Sequence, residues 1–300
     1  MAEAEASLPD GCLQVAPTAG PGYLLGRSCR ISLDQPRIMG ILNVTPDSFS
    51  DGGDLRSKDE VVARARQMVA EGVDLIDVGG ESTRPGAAAV SLQEELDRVA
   101  PVLEALRRDI DAPFSIDTTK SEVARTALDL GVEFVNDISG LRFDKQMGAV
   151  VAEKAAGLFL MHTRGRPGQM QANTVYRDLV GEVVGSLEES VGRALKAGIE
   201  ADRLAVDPGI GFGKDAAGNL FLLRRLASLA SLGRPILLGT SRKGFLGTIV
   251  KQPEPRRRLA GTLATVALGV AGGASIFRVH DVGPAREAAL TAWAVCRARP

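Results

Sequence analysis

Cysteine is scarce in this sequence: Cys12, Cys29 and Cys296 are the only three among 300 residues. Their odd number, wide spacing and lack of any Cys-x-x-Cys pair argue against a disulfide framework or a zinc site, and a reducing cytoplasm is the compartment that suits such a chain. Excess charge is also missing. With 36 basic and 37 acidic residues the net charge is −1, so no general electrostatic footprint for nucleic acid or an anionic membrane is expected, and any anion site must be local. The opening residues, Met-Ala-Glu-Ala-Glu-Ala-Ser, have neither the basic region nor the apolar run of a secretion signal, so no export is expected. No Gly-x-x-x-x-Gly-Lys-[Ser/Thr] loop or dinucleotide fingerprint occurs, which argues against the usual nucleotide cradles. One stretch, 259–277, lacks charge over a membrane-spanning length, but Gly272 and Gly273 interrupt it and Thr262, Thr265 and Ser275 dilute it. It reads as an apolar helix followed by a buried strand.

What is present is an ordinary globular composition, 45% hydrophobic and 24% charged. Residues 1–21 are small, polar and rich in Pro and Gly, and are expected to form a disordered or loosely packed extension. Residues 22–300 then read as one domain. Short, mostly β-branched apolar runs recur at 38–44, 73–78, 114–116, 132–135, 158–161, 204–206, 236–238 and 275–279. Helical periods lie between and after them at 58–70, 92–108, 121–130, 145–155, 176–196, 219–230, 256–270 and 284–296. Strict alternation requires parallel pairing through right-handed crossovers, and eight units close into an α/β (β/α)8 TIM barrel. A doubly wound open sheet is the alternative. An outer barrel helix should show a polar face, so the apolar helix 256–270 must be covered, by a second copy of the chain in a homodimer or by the N-terminal segment.

The first strand runs into the loop 43–53, where Phe49 stands between serines and aspartates, more chemistry than a connector needs. The other strand ends are polar as well: Glu81 to Pro85, Asp117, Asn136 and Asp137, His162, Asp207, Ser241 to Lys243, and Arg278 to His280. This asymmetry places the chemistry on the C-terminal face. Residues two apart share a face, so Arg278 and His280 point together, as do Ser241 and Lys243, with Arg242 turned away. In a closed barrel Arg278, His280, Asn43, Thr83 and Arg84 should cluster. Two guanidinium forks, an imidazole and neutral donors suit phosphate or pyrophosphate. A Mg²⁺ ion would fit there through Asn43 Oδ1 and phosphate oxygens, and a salt-bridged strand end is the bland alternative. Asp117, Asn136, Asp207 and Lys243 make a second group, matched by a flat heterocycle with amino and ring N–H donors beside a carbonyl; an internal Asp–Lys pair is the alternative. His162, Asp77 and Asp137 read as structural. No strand end offers Cys, and Ser241 lacks an evident His/Asp pair, which weakens covalent catalysis.

At these residues the sequence resembles the dihydropteroate synthase family. The resemblance rests on Asn43-Val-Thr-Pro-Asp-Ser-Phe-Ser-Asp-Gly-Gly53, Glu81-Ser-Thr-Arg-Pro-Gly-Ala87, Ser115-Ile-Asp-Thr118, Asn136-Asp-Ile138, Asp207-Pro-Gly-Ile-Gly-Phe-Gly-Lys214, Ser241-Arg-Lys243 and Arg278-Val-His-Asp281. It covers about residue 24 to the end. The resemblance implies a Mg²⁺-dependent condensation of 6-hydroxymethyl-7,8-dihydropterin pyrophosphate with p-aminobenzoate to 7,8-dihydropteroate in folate biosynthesis, open to sulfonamide competition. It also implies a pterin pocket of Asp117, Asn136, Asp207 and Lys243, and a pyrophosphate site of Asn43, Arg84, Arg278 and His280. The p-aminobenzoate side would use Thr83, Pro85, Phe212, Ser241 and Phe49. The rival readings are a methyltetrahydrofolate-binding methyl-transfer barrel, which has no need of the pyrophosphate cluster, and an inactive pterin-binding paralogue, which should have lost members of it.

Overall fold

The structure, a computed structural model, describes residue 16 and residues 19–44, 58–82 and 89–298. Its first element is an antiparallel hairpin of β1 (Tyr23–Leu25) and β2 (Arg30–Ser32). The apolar runs legible in the sequence begin only at 38, because three-residue strands show too little alternation to read. The barrel strands follow: β3 (Arg37–Asn43), β4 (Leu75–Gly79), β5 (Phe114–Asp117), β6 (Phe134–Asp137), β7 (Gly157–Met161), β8 (Leu204–Asp207), β9 (Leu237–Leu238) and β10 (Ile276–Val279). They pair in parallel in the order β8-β7-β6-β5-β4-β3-β10-β9. One parallel bridge, Val206 to Ile236, joins the two ends, and the Val206 amide donates to the Pro235 carbonyl at 2.9 Å. The sheet is thus a nearly closed (β/α)8 barrel rather than an open doubly wound sheet.

The helices are α1 (Lys58–Ala70), α2 (Leu92–Asp109), α3 (Ser121–Asp129), α4 (Met147–Glu153), α5 (Leu179–Lys196), α6 (Ala216–Arg224), α7 (Gly244–Ile249), α8 (Leu259–Ala271) and α9 (Val282–Arg297). Side-chain caps set several starts. Asp178 accepts the Gly181 amide at 3.1 Å, so α5 begins three residues later than its periodicity suggested, and Asp215 accepts the Gly218 amide at 2.7 Å to open α6. Where 219–230 read as one helix, α6 gives way to a 3-10 segment, Leu226–Leu232, that stops at left-handed Gly233. The segment expected at 256–270 opens with a separate 3-10 turn, Pro255–Arg257, before α8. The six-residue α7 was not legible, being too short for a period. The uncharged stretch divides into α8 and β10, as expected, and among the described residues no helix is long and apolar enough to cross a membrane.

Two cores result. Val, Ile and Leu on the outward strand faces pack under the helices, which is why the strands read as continuous apolar runs. Inside the barrel, Met39, Leu75, Phe134, Phe159, Ala205, Leu237 and Ile276 pack against Leu24, Ile31 and Leu33 from the hairpin. The hairpin therefore plugs the N-terminal end of the barrel. Glu133 ties its turn down, accepting the Ser28 amide at 2.7 Å and the Ser28 hydroxyl at 2.5 Å. Of the extension expected at 1–21, Ala16 donates its amide to Ala271 and Ala19 is buried; residues 1–15, 17 and 18 lie outside the described residues. With one end of the barrel filled by the hairpin, the polar strand-end residues lie at the other.

Candidate active site

Strand register assembles the crater. Asn43, Gly79, Asp117 and Asn136 are successive partners across β3, β4, β5 and β6, and so form one row. Gly79 is the gap in that row. A Cβ there would lie 3.5 Å from Asp117 Cβ and 3.6 Å from Asn43 Oδ1, so the missing side chain is what leaves space between those two polar groups. Two residues earlier on the same face stands Asp77, fully buried.

Arg278 ties the carboxylates together. Its Nε donates to Asp77 Oδ2 at 2.6 Å and its Nη2 to Asp117 Oδ2 at 2.7 Å, while Asn136 Nδ2 donates to the same Asp77 oxygen at 3.0 Å. Among the described residues, Asp77 Oδ1, Asp117 Oδ1 and the Ser115 hydroxyl, all buried, have no hydrogen-bond partner. Burial pushes the Asp117 carboxyl up to about 7; Arg278 pulls it down, and Asp77, Glu95 and Asp137 reinforce the rise. Asp207 is likewise raised by burial, opposed by Lys243 and by the Gly209 amide, which donates to its Oδ1 at 2.7 Å. The Arg278 guanidinium is held protonated despite burial by Asp77 and Asp117. A crater floor with buried acceptors in surplus is built to receive N–H donors.

Lys243 enters from the far side. Its ammonium donates to the Ile210 carbonyl and lies 4.3 Å from the centre of the Phe212 ring. Burial pushes Lys243 down to about 8, with Asp207 pulling the other way. Phe212 itself packs with Ile138, Met161 and Met170. Beside it, Ser241 Oγ accepts the His280 amide at 3.1 Å and lies 2.9 Å from His280 Nδ1. With the hydroxyl proton directed at Nδ1, a neutral imidazole carries its own proton on Nε2, as a donor.

Several placements differ from the sequence reading. Arg278, expected with the anion group, sits between Asp117 of the other group and Asp77, so the two sets interlock through one guanidinium. Asp77, read as structural, is part of the floor; its shared face with Gly79 was the available signal. Asp137, read as structural, is engaged locally, accepting the Ser139 and Leu141 amides at 2.8 and 2.7 Å. Arg242 is turned out, bonded through Nε and Nη2 to Asp281 at 3.0 and 2.5 Å. Phe49, Thr83, Arg84 and Pro85 lie outside the described residues. Asn43 is the metal candidate, and the described residues contain no group of three or more His, Cys, Asp or Glu able to hold a metal ion. Its single amide oxygen suits an Mg²⁺ ion that takes its remaining ligands from water and phosphate.

Residues 39–280 match the family model described as pterin binding enzyme. A curated relative, dihydropteroate synthase from Synechocystis, is 51% identical over 245 residues, covering 82% of this chain and 85% of the relative. Dihydropteroate synthase from Clostridium difficile, solved in the presence of pteroic acid, superposes with a TM-score of 0.84 at 46% identity and covers 88% of this chain and 98% of its own. The Xanthomonas albilineans dihydropteroate synthase with 4-aminobenzoic acid has a TM-score of 0.86 at 43% identity, covering 94% of this chain and 100% of that one.

Proposed function

This chain belongs to the pterin-binding enzyme family and, within it, to the dihydropteroate synthases; from that premise we propose that it joins 6-hydroxymethyl-7,8-dihydropterin pyrophosphate to p-aminobenzoate, giving 7,8-dihydropteroate and pyrophosphate. The observation that carries the reading is the crater floor, where Asp77, Asp117, Asn136 and Asp207 converge and two carboxylate oxygens have no partner among the described residues. A pterin offers an amino group and ring N–H donors to such acceptors, with its carbonyl left for Lys243.

The residues then divide the work. The floor carboxylates and Asn136 orient the pterin, while Asn43, Arg84, Arg278 and His280 hold the pyrophosphate. Thr83, Pro85, Phe212, Ser241 and Phe49 form the p-aminobenzoate side. The substrate's C–O bond breaks with its electron pair leaving on pyrophosphate, and the electron-rich pterin spreads the positive charge left on its methylene carbon. The arylamine lone pair closes the new C–N bond and the nitrogen sheds a proton. An arylamine is already neutral near pH 7, so no strong general base is required. Cationic donors that face the departing oxygens lower this barrier. Arg278 serves twice: it neutralises Asp77 and Asp117 in the free enzyme, and pterin N–H donors release it towards the pyrophosphate. Asn43 fits an Mg²⁺ ion carried on the pyrophosphate, which when bound would supply further charge to the leaving group.

The same reading covers the rest of the molecule. Residues 22–300 form one catalytic domain with 1–21 as an extension, and the enzyme works in the cytoplasm, in keeping with free thiols at Cys29 and Cys296. It acts as a homodimer through the apolar α8. The test is pyrophosphate release from the dihydropterin pyrophosphate with Mg²⁺, with and without p-aminobenzoate. Release accelerated by p-aminobenzoate, with dihydropteroate formed, is the expected result; folded protein that releases none refutes the proposal.

A further inference from the structure

We propose that Lys214 is a positioning residue for this crater, acting on Lys243 and Phe212 through the backbone of residues 207–214 and never touching substrate; the proposal rests on the reading of the crater as the pterin site. Lys214 is buried, with 2% of its surface exposed. Its ammonium donates to the Gly209 carbonyl at 2.9 Å, to the Phe212 carbonyl at 3.0 Å and to His162 Nδ1, also at 2.9 Å. Three protons meet three acceptors, so none is left for a ligand.

The segment it grips has little freedom of its own. Gly209 and Gly213 are left-handed, and a Cβ on them would lie 1.8 Å from the His162 carbonyl oxygen and 2.6 Å from Arg164 Cβ. The segment is therefore pressed against the end of β7. Between the two gripped carbonyls lies Ile210, whose own carbonyl takes the Lys243 ammonium, and Phe212 supplies the ring beside it. Fixing 209 and 212 thus fixes the seat of Lys243.

The three donated bonds of Lys214 are complete where it is an ammonium, below about pH 7. Burial pushes Lys214 down to about 7, with Asp207 pulling it up and Lys243, Arg164 and Arg142 pushing it further down. Burial and the cations of Lys214, Arg142 and Arg164 push His162 to about 2, which keeps the ring neutral, and the ammonium 2.9 Å from Nδ1 selects the tautomer with its proton on Nε2. His162 is thus a neutral strut between β7 and this connection.

The chain has two histidines, so nitrogen-15 spectra of the imidazoles resolve each one, with His280→Gln as the assignment control. In the wild type, His162 should stay neutral with its proton on Nε2 throughout the range in which an ordinary histidine titrates. In Lys214→Met it should move towards ordinary titration, while KM for the dihydropterin pyrophosphate rises by about tenfold or more, the worth of one well-placed hydrogen bond, with a smaller change in kcat. A wild-type His162 that titrates normally or carries its proton on Nδ1 overturns the proposal, even where the variant does not fold. So does a folded Lys214→Met with unchanged KM. A wild-type enzyme making no dihydropteroate would instead refute the functional reading, while the histidine spectra still report on the strut.

Discussion

On the proposed mechanism Arg278 would join pterin binding to leaving-group stabilisation at a single side chain, since it bonds to both Asp77 and Asp117 of the floor. Arg278→Ala should slow pyrophosphate release by an amount equivalent to about 1.5–3 kcal/mol, the loss of one charge-assisted contact. It should also destabilise the fold by about 3–5 kcal/mol, since two buried carboxylates lose their partner. Steady-state kinetics and urea unfolding read the two effects separately, and unchanged turnover would sink the assigned role. Lys243 gives a pH prediction with a definite sign. Its folded pKa, about 8, lies below its ordinary 10.5, so the ammonium disappears as pH rises through about 8. kcat/KM should therefore fall on the alkaline side, and Lys243→Arg should move that limb upward. Over the same window the unfolded chain binds more protons than the folded one, so the contribution of Lys243 to stability increases with pH. Rate and unfolding midpoint should diverge above about pH 8; parallel loss of both would show general unfolding instead.

Among the elements, the N-terminal hairpin has the most testable packing. It fills the barrel end opposite the crater, and its seat depends on Gly157 at the start of β7. A Cβ there would sit 2.2 Å from Phe134 Cδ1 and 2.6 Å from the Leu25 carbonyl oxygen. Gly157→Ala should destabilise the protein by about 1–3 kcal/mol through overpacking, read as a lower urea midpoint, with kcat/KM of the folded fraction unchanged because the crater lies at the other end. Wild-type stability would show that the hairpin can yield. Element type was legible wherever the period was long enough, as in α2, α5 and α9. The hairpin, α7 and the 3-10 end of α6 were not, because three- to seven-residue pieces take their geometry from what they pack against.

At the scale of the whole molecule, the apolar face of α8 has consequences for assembly. Ala260, Ala264 and Leu268 repeat along one exposed side, Leu268 is 61% exposed, and Val295 of the adjoining α9 is 64% exposed. Such a face is the feature expected at a contact between two copies. Sedimentation should show a dimer, and Leu268→Glu should shift it to monomer by burying a carboxylate in an apolar interface. A wild-type monomer, or a dimer indifferent to the substitution, would refute the interface.

Sequence alone determined the alternation of eight apolar runs with eight helical periods and the concentration of polar residues at one set of strand ends. Both follow from local periodicity, which reports the face a side chain occupies. It also sufficed to gather Asp117, Asn136, Asp207 and Lys243 into one group. Only the tertiary structure decided which partners those faces meet. Register across β4, β5 and β10 set Arg278 between Asp77 and Asp117, brought Asp77 into the floor and emptied the position of Gly79. The path of residues 207–214 turned Lys214 inward onto His162. Such pairings depend on barrel closure between strands up to about 240 residues apart, and short-range pattern carries no information about contacts at that separation.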